Sequence, residues 1–132
     1  MRLSNASTYA VHALAHLAAA GPGRRVASHD IARARGIPER FILKVLRPLV
    51  SAQLVRSLKG PGGGFRLAKP AASITLLEVV EAVEGPVRGE APVWGPGQGG
   101  LDARLREVCE AVAGLVRRRF GRVRLSDLAG GR

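Results

Sequence analysis

The first 70 residues are nearly bare of acidic groups, the whole chain has one cysteine, and aromatic residues are scarce. Each shortage closes something off. A lone Cys109 excludes an internal disulfide and any cluster ligated by several cysteines of one chain. With aromatics at 4% against 46% hydrophobic residues, a core has to be assembled from Leu, Val, Ile and Ala. No apolar run approaches the roughly 20 residues of a membrane span. Residues 11–20 are Ala-rich, but two histidines interrupt them and only one Arg precedes them. No export signal is read there, and a cytoplasmic protein is expected. Nucleophile–base pairs, metal clusters and phosphate loops are missing as well, so an enzyme is not expected.

What is present is charge, and it is unevenly spread. The 132 residues carry a net +11, with a balance of +10 over residues 1–70 and +1 over residues 71–132. Such a distribution is the footprint of a surface that meets a polyanion, where Lys and Arg displace counterions from phosphates. A generally basic protein surface is the plainer alternative. The length suits one domain, or a small domain with a dimerisation helix, and a chain this short gains from burying apolar surface against a partner.

Periodicity predicts a helix over residues 4–20, capped by Ser4 or Asn5, with Ala10, Ala13, Leu14 and Leu17 on one face. Tyr9, His12 and His16 lie on the other. Two histidines four apart make half a metal site, but no nearby Cys, Asp or Glu completes it, and a solvent- or partner-facing stripe is the reading taken. Ser28 is a candidate N-cap for a second, short helix that carries Ile31 and Ala32, and Gly36 is placed to end it. Pro38 suits the first turn of a third helix over residues 38–52. A short helix, a glycine turn and a second helix form a helix-turn-helix.

That third helix sorts its residues by side. Phe41, Ile42, Val45, Leu46 and Leu49 fall together; Arg40, Leu43, Lys44, Arg47 and Ser51 fall opposite. Cations beside short and apolar groups suit a recognition helix in a major groove, where Arg and Lys bond guanine or phosphate and an apolar group touches a thymine methyl. The alternative is a solvated basic face. Pro48 is expected to kink the helix.

Residues 54–58 and 65–68 are short extended runs around the tip Lys59-Gly60-Pro61-Gly62-Gly63-Gly64, which makes a β-hairpin and, after a recognition helix, a wing. Lys59 and Arg66 flank the tip and can meet phosphates or the minor groove. A nucleotide loop is disfavoured, since no Gly-Lys-Ser/Thr follows the glycines and the next run is strand-like. Residues 73–85 form a further helix with Thr75 and Glu78 at capping-box spacing; Glu78, Glu81 and Glu84 read as a solvated stripe, having no nucleophile or base beside them. Residues 85–100 hold six Gly and three Pro around Trp94 and read as a loop, docked on the core edge or folded as a lid. The last long helix, over residues 101–120, spaces Leu101, Leu105, Val108, Val112 and Leu115 in a 4-3-4-3 seam expected to dimerise. Cys109 beside it reads as packing, Arg117-Arg118-Arg119 as a solvated helix end, and residues 125–129 as one last turn.

Several of these stretches together resemble the Rrf2 family of winged-helix transcription regulators. They are Met1-Arg2-Leu3-Ser4 with Tyr9-Ala10, Ile31-Ala32 to Gly36-Ile37-Pro38, the wing Gly60-Pro61-Gly62-Gly63-Gly64-Phe65-Arg66-Leu67, Ile74-Thr75-Leu76, Glu84-Gly85-Pro86 and Leu125-Ser126-Asp127-Leu128. The likeness spans most of the chain and fades in the Gly/Pro loop. It implies a homodimer on a partly palindromic operator, with the recognition helix in the major groove and the wing in the minor groove. By position, Ser28, Pro38, Glu39, Arg40, Phe41, Lys44, Lys59, Gly60, Gly62, Gly63 and Arg66 would face DNA, with Arg2 near the backbone. Leu43 departs from members that carry a Glu there to read cytosine. Many members also hold an iron–sulfur cluster through three cysteines after Glu-Gly-Pro, whereas residues 85–100 here hold none, so no such cofactor is expected and the effector stays open.

The fold expected is therefore mainly α with a small β-hairpin: a winged helix-turn-helix over residues 1–84, the loop 85–100, and a dimerisation helix with a C-terminal turn over 101–132. The function expected is sequence-specific regulation of transcription, as a repressor on double-stranded DNA. A winged-helix module for protein contact or RNA binding is the alternative, separable by whether binding survives high salt or prefers RNA.

Overall fold

In the computed structural model, residues 1–91 and 99–129 are described, so the reading of Trp94 lies outside the described residues. Helix α1 runs Asn5–Ala20 and starts where Ser4 Oγ accepts the Ser7 N–H at 3.1 Å. Its buried stripe is the one the sequence spaces out: Ala10, Ala13, Leu14 and Leu17. Helix α2 (Ser28–Arg35) differs at its start. Ala27 holds the cap position with no side-chain bond, and Ser28 lies inside the first turn. At the other end Gly36 takes φ 66°, a left-handed value that costs a Cβ-bearing residue energy and that lets the chain reverse at once.

Helix α3 spans Glu39–Ser51. Pro38 precedes it as the cap residue rather than as its first turn; its missing N–H is no loss there, and its carbonyl accepts the Phe41 N–H at 2.8 Å. Pro48 lies inside the helix, whose bonding resumes beyond it with Ala52 N–H to Pro48 O at 2.9 Å. Ile42, Val45, Leu46 and Leu49 are buried, while Phe41 is only half-buried, at the boundary of the two faces.

Strands β1 (Val55–Leu58) and β2 (Gly64–Leu67) pair antiparallel, Val55 opposite Leu67 and Leu58 opposite Gly64. A third segment joins them: Val26 and Phe65 exchange both backbone hydrogen bonds at 2.9 Å, so the wing is stitched to the chain before α2. A short 3-10 turn at Ala71–Ser73 leads into α4 (Leu76–Glu84), whose capping box between Thr75 and Glu78 forms as spaced.

The long α5 (Gly100–Phe120) leaves this unit, and α6 (Leu125–Ala129) returns to it. Val123 O accepts the Leu76 N–H and Ile74 O accepts the Leu125 N–H, each at 2.8 Å, and Leu125 joins Leu14, Leu46, Leu49, Leu54, Ile74 and Val79 in one core. Burying each such side chain contributes roughly 1.5–3 kcal/mol. The winged-helix core thus takes a residue from beyond α5. By contrast α5 buries only Ala113.

The acidic stripe of α4 is not merely solvated. Glu78 accepts from Lys69 Nζ at 2.8 Å and Glu81 from the Val87 N–H at 2.8 Å, and Glu84 accepts from Ser4 at 2.9 Å and from the fully buried Ser7. The partners of Glu78 and Glu81 lie within nine residues along the chain, and those of Glu84 come from the start of α1. Partial burial pushes Glu78 up, but its bonds to Lys69 and Thr75 outweigh that and hold it below the usual carboxylate range. For Glu84 the Ser7 hydroxyl is the largest influence and lowers it.

A carboxylate lowered in the folded state stabilises the fold above its unfolded pKa and loses that contribution as pH falls through the folded value. Glu84→Gln should therefore be less stable than the parent chain at pH 7 and converge with it as pH falls below 4.5 and through the lowered folded value. Urea unfolding across that range measures the convergence.

Candidate nucleic-acid interface

Because α3 sinks Ile42, Val45, Leu46 and Leu49 into the core, its geometry turns Arg40, Lys44 and Arg47 outward, and all three are exposed. Leu43 stands among them, 41% exposed. Glu39 is exposed in the first turn, and Pro38 and Ser28 are half-buried at the starts of α3 and α2. The Arg40 guanidinium lies 4.8 Å, and Lys44 Nζ 5.7 Å, from the Phe41 ring centre. Neither cation makes an ion pair or a hydrogen bond among the described residues.

The wing sits next to this face, because β1 follows α3 through the Leu54 N–H bond to Leu49 O at 3.0 Å. Lys59, Gly60 and Gly62 are exposed at its tip, and Gly63 and Arg66 are half-buried. Gly64 is the position that permits the stitch to Val26: a Cβ there would lie 2.8 Å from Val26 O, at φ 150°. Two cations escaped the sequence reading. Arg56 pairs directly opposite Arg66 across the hairpin, a like-charge pairing that is unfavourable until an anion lies over it. Arg25 bonds Gly62 O at the wing tip at 3.2 Å. The pair Arg24-Arg25 after a Gly-Pro-Gly turn is visible in sequence, but its reach to the tip is not.

Arg2 lies elsewhere, beside Glu84, Gly85 and Arg88 in a cleft of about 310 Å³ between α4 and α5. The proposed seam residues Leu101, Leu105, Val108, Val112 and Leu115 are 46–61% exposed along α5. The opposite side of α5 is held. Arg117 bonds Val87 O and Glu110, each at 2.6 Å, and Glu110 also accepts the Gly89 N–H at 3.0 Å. Arg117 is thus a strap rather than a solvated helix end, while Arg118 and Arg119 are exposed. Glu110 is held low, chiefly by the Arg117 bond. Cys109 is half-buried on α5.

Residues 3–131 match the Rrf2 family, described as an iron-dependent transcriptional regulator. The chain is 35% identical over 138 aligned positions to a Mycobacterium tuberculosis protein named as an HTH-type transcriptional regulator, Rv1287, covering 99% of this chain and 83% of that one. It is 37% identical to the HTH-type transcriptional regulator IscR of Cereibacter sphaeroides, over 66% of this chain and 57% of that one. Among solved structures it is similar to the cysteine regulator CymR of Bacillus subtilis, with TM-score 0.78, 23% identity, and coverage of 98% and 97%. The iron in the family description was tested against the donors. A three-cysteine cluster needs three thiolates within reach, and this chain has only Cys109. Among the described residues no three His, Cys, Asp or Glu side chains stand where they could hold a metal ion. The residues do not fit a three-cysteine cluster.

Gly64→Ala should detach the wing from Val26 while leaving the helical core intact. Hydrogen exchange at the Val26 and Phe65 amides is expected to quicken by about tenfold or more, with Leu14 and Leu46 unchanged. Equal protection in the variant would show that the stitch tolerates a side chain.

Proposed function

The chain belongs to the Rrf2 family of transcriptional regulators, and we propose that it works as a homodimer that represses from a pseudo-palindromic operator. Double-stranded DNA is its partner, met through a winged helix-turn-helix. The observation that carries the reading is the division of α3: four apolar side chains buried, three exposed cations with no acidic partner among the described residues, and a glycine-tipped wing alongside. In this reading Arg40, Leu43, Lys44 and Arg47 read or brace the major groove. Phe41, Ser28, Pro38 and Glu39 shape its approach, and Lys59, Gly60, Gly62, Gly63 and Arg66, joined by Arg56, track the minor-groove edge. Arg2, at the mouth of the cleft between α4 and α5, is assigned to the DNA backbone.

Dimerisation rests on α5. A 21-residue helix with five large apolar side chains exposed on one stripe has surface that water leaves unfavourable and that a twofold copy would cover. We assign no enzymatic step to the chain, and a cytoplasmic site of action follows from the DNA partner; among the described residues no helix is long and apolar enough to cross a membrane. Signal reception is proposed to run through something other than a three-cysteine cluster.

Incubation with fragmented genomic DNA, recovery at moderate salt and sequencing should return an inverted repeat with half-sites about one helical turn (~34 Å) or a multiple apart. With roughly 6–10 phosphate contacts, affinity for that repeat should fall about 10³–10⁵-fold between 50 and 200 mM salt. Recovery without an enriched repeat, or salt-independent binding, would sink the reading.

Val108→Asp places a carboxylate in the middle of the seam, where burial without a partner costs several kcal/mol. Sedimentation should then report a monomer, with operator binding weakened and the helical content kept. An unchanged mass would move the dimer contact off this stripe.

A further inference from the structure

The first helix contributes a side chain to the reading face. Tyr9, on α1, stacks on Phe41 of α3 with ring centres 6.4 Å apart and planes 25° from parallel. Phe41 in turn carries Arg40 and Lys44 against its ring, at 4.8 and 5.7 Å from its centre. We propose that Tyr9 is a positioning residue for base reading, acting through Phe41 to hold Arg40 and Lys44 in the arrangement that discriminates one DNA sequence from another. The proposal rests on the DNA-binding reading above and goes beyond it, because Tyr9 lies outside the helix-turn-helix.

Three observations support it. Tyr9 is anchored: its neighbour Ala10 and the further residues Ala13 and Leu14 are fully buried, and Tyr9 itself packs against the core. Its hydroxyl makes no hydrogen bond among the described residues, so the ring face, not the polar tip, makes the contact. And Arg40 and Lys44 lie four residues apart on α3, where two cations repel each other, and Arg40 also stands in the first turn at the positive end of the helix dipole.

An aromatic face resolves that repulsion without using up the cations. A carboxylate would neutralise them and occupy their N–H donors; a ring attracts the charge through its quadrupole and leaves the donors at its rim free for bases or phosphates. A cleft of about 240 Å³ lined by Asn5, Ala6, Tyr9, Phe41, Lys44 and Val45 lies beside the stack, so the Lys44 stem runs along the same apolar wall as the two rings. Long cationic side chains lose much rotamer freedom on binding, and pre-ordering them is what sharpens discrimination between right and wrong sequences.

The test uses the full chain, the inverted repeat enriched from genomic DNA, and a scrambled duplex of the same composition. Tyr9→Leu is expected to lower affinity for the repeat about tenfold while changing affinity for the scrambled duplex less than twofold and leaving the salt slope unchanged. Tyr9→Phe should restore the discrimination. Phe41→Leu should lose as much as Tyr9→Leu, and the double variant no more than either. Equal loss on both duplexes, additive losses, or failure of Tyr9→Phe to restore the ratio would each overturn the proposal. If Tyr9→Leu does not fold, the intact chain supplies the readout: side-chain protons of Arg40 and Lys44 should be shifted upfield by the Phe41 ring, and ordinary shifts would also overturn it. A parent protein that fails to distinguish the two duplexes defeats the operator reading; a Tyr9→Leu variant that distinguishes them as well as the parent defeats only this inference.

Discussion

The burial of one face of α3 is the constraint on which the rest depends. Ile42, Val45, Leu46 and Leu49 are each no more than 3% exposed and are locked among Leu14, Ile31, Leu54 and Val79. A helix held that tightly on one side has no rotational freedom, so its other side is determined. Arg40, Lys44 and Arg47 project outward because their helical phase leaves no alternative, and the cost of rotating them inward would be the desolvation of three cations.

The same rigidity lets neighbouring elements serve the reading face. The wing follows α3 after a short turn and is fixed a second time by Val26, so its tip cannot swing far from the recognition helix. The α1 helix brings Tyr9 to Phe41. At the far end, Leu125 and the backbone bonds around Ile74 and Leu76 tie the chain beyond α5 back into the core. The foot of α5 is therefore attached to the DNA-reading unit at two places, through α6 and through the Arg117–Glu110 strap to residues 87–89.

Most of this architecture was legible in the sequence where local rules operate. Stripes on α1 and α3, the left-handed Gly36, the capping box at Thr75 and Glu78 and the hairpin all follow from periods of a few residues and from backbone preferences. The misreadings have a shared cause. Ser28 was a sound N-cap by type, yet the chain before it is pulled into the wing by Val26, which shifts the cap to Ala27. Glu84 reads as solvated in sequence because its partners Ser4 and Ser7 stand 80 and 77 residues away, while those of Glu78 and Glu81 lie off the helix, at Lys69 and Val87. Arg117 looked free for the same reason.

By itself, then, the sequence determined which side of each helix is apolar, where the chain turns, and that the excess positive charge belongs to the first half, since composition and helical phase are local properties. Only the tertiary structure decided which charged groups are spoken for and which remain open. A long-range hydrogen bond, a ring stack or a strand stitch depends on distances between segments up to 80 residues apart, as between Ser4 and Glu84. Those distances exist only once the core has closed.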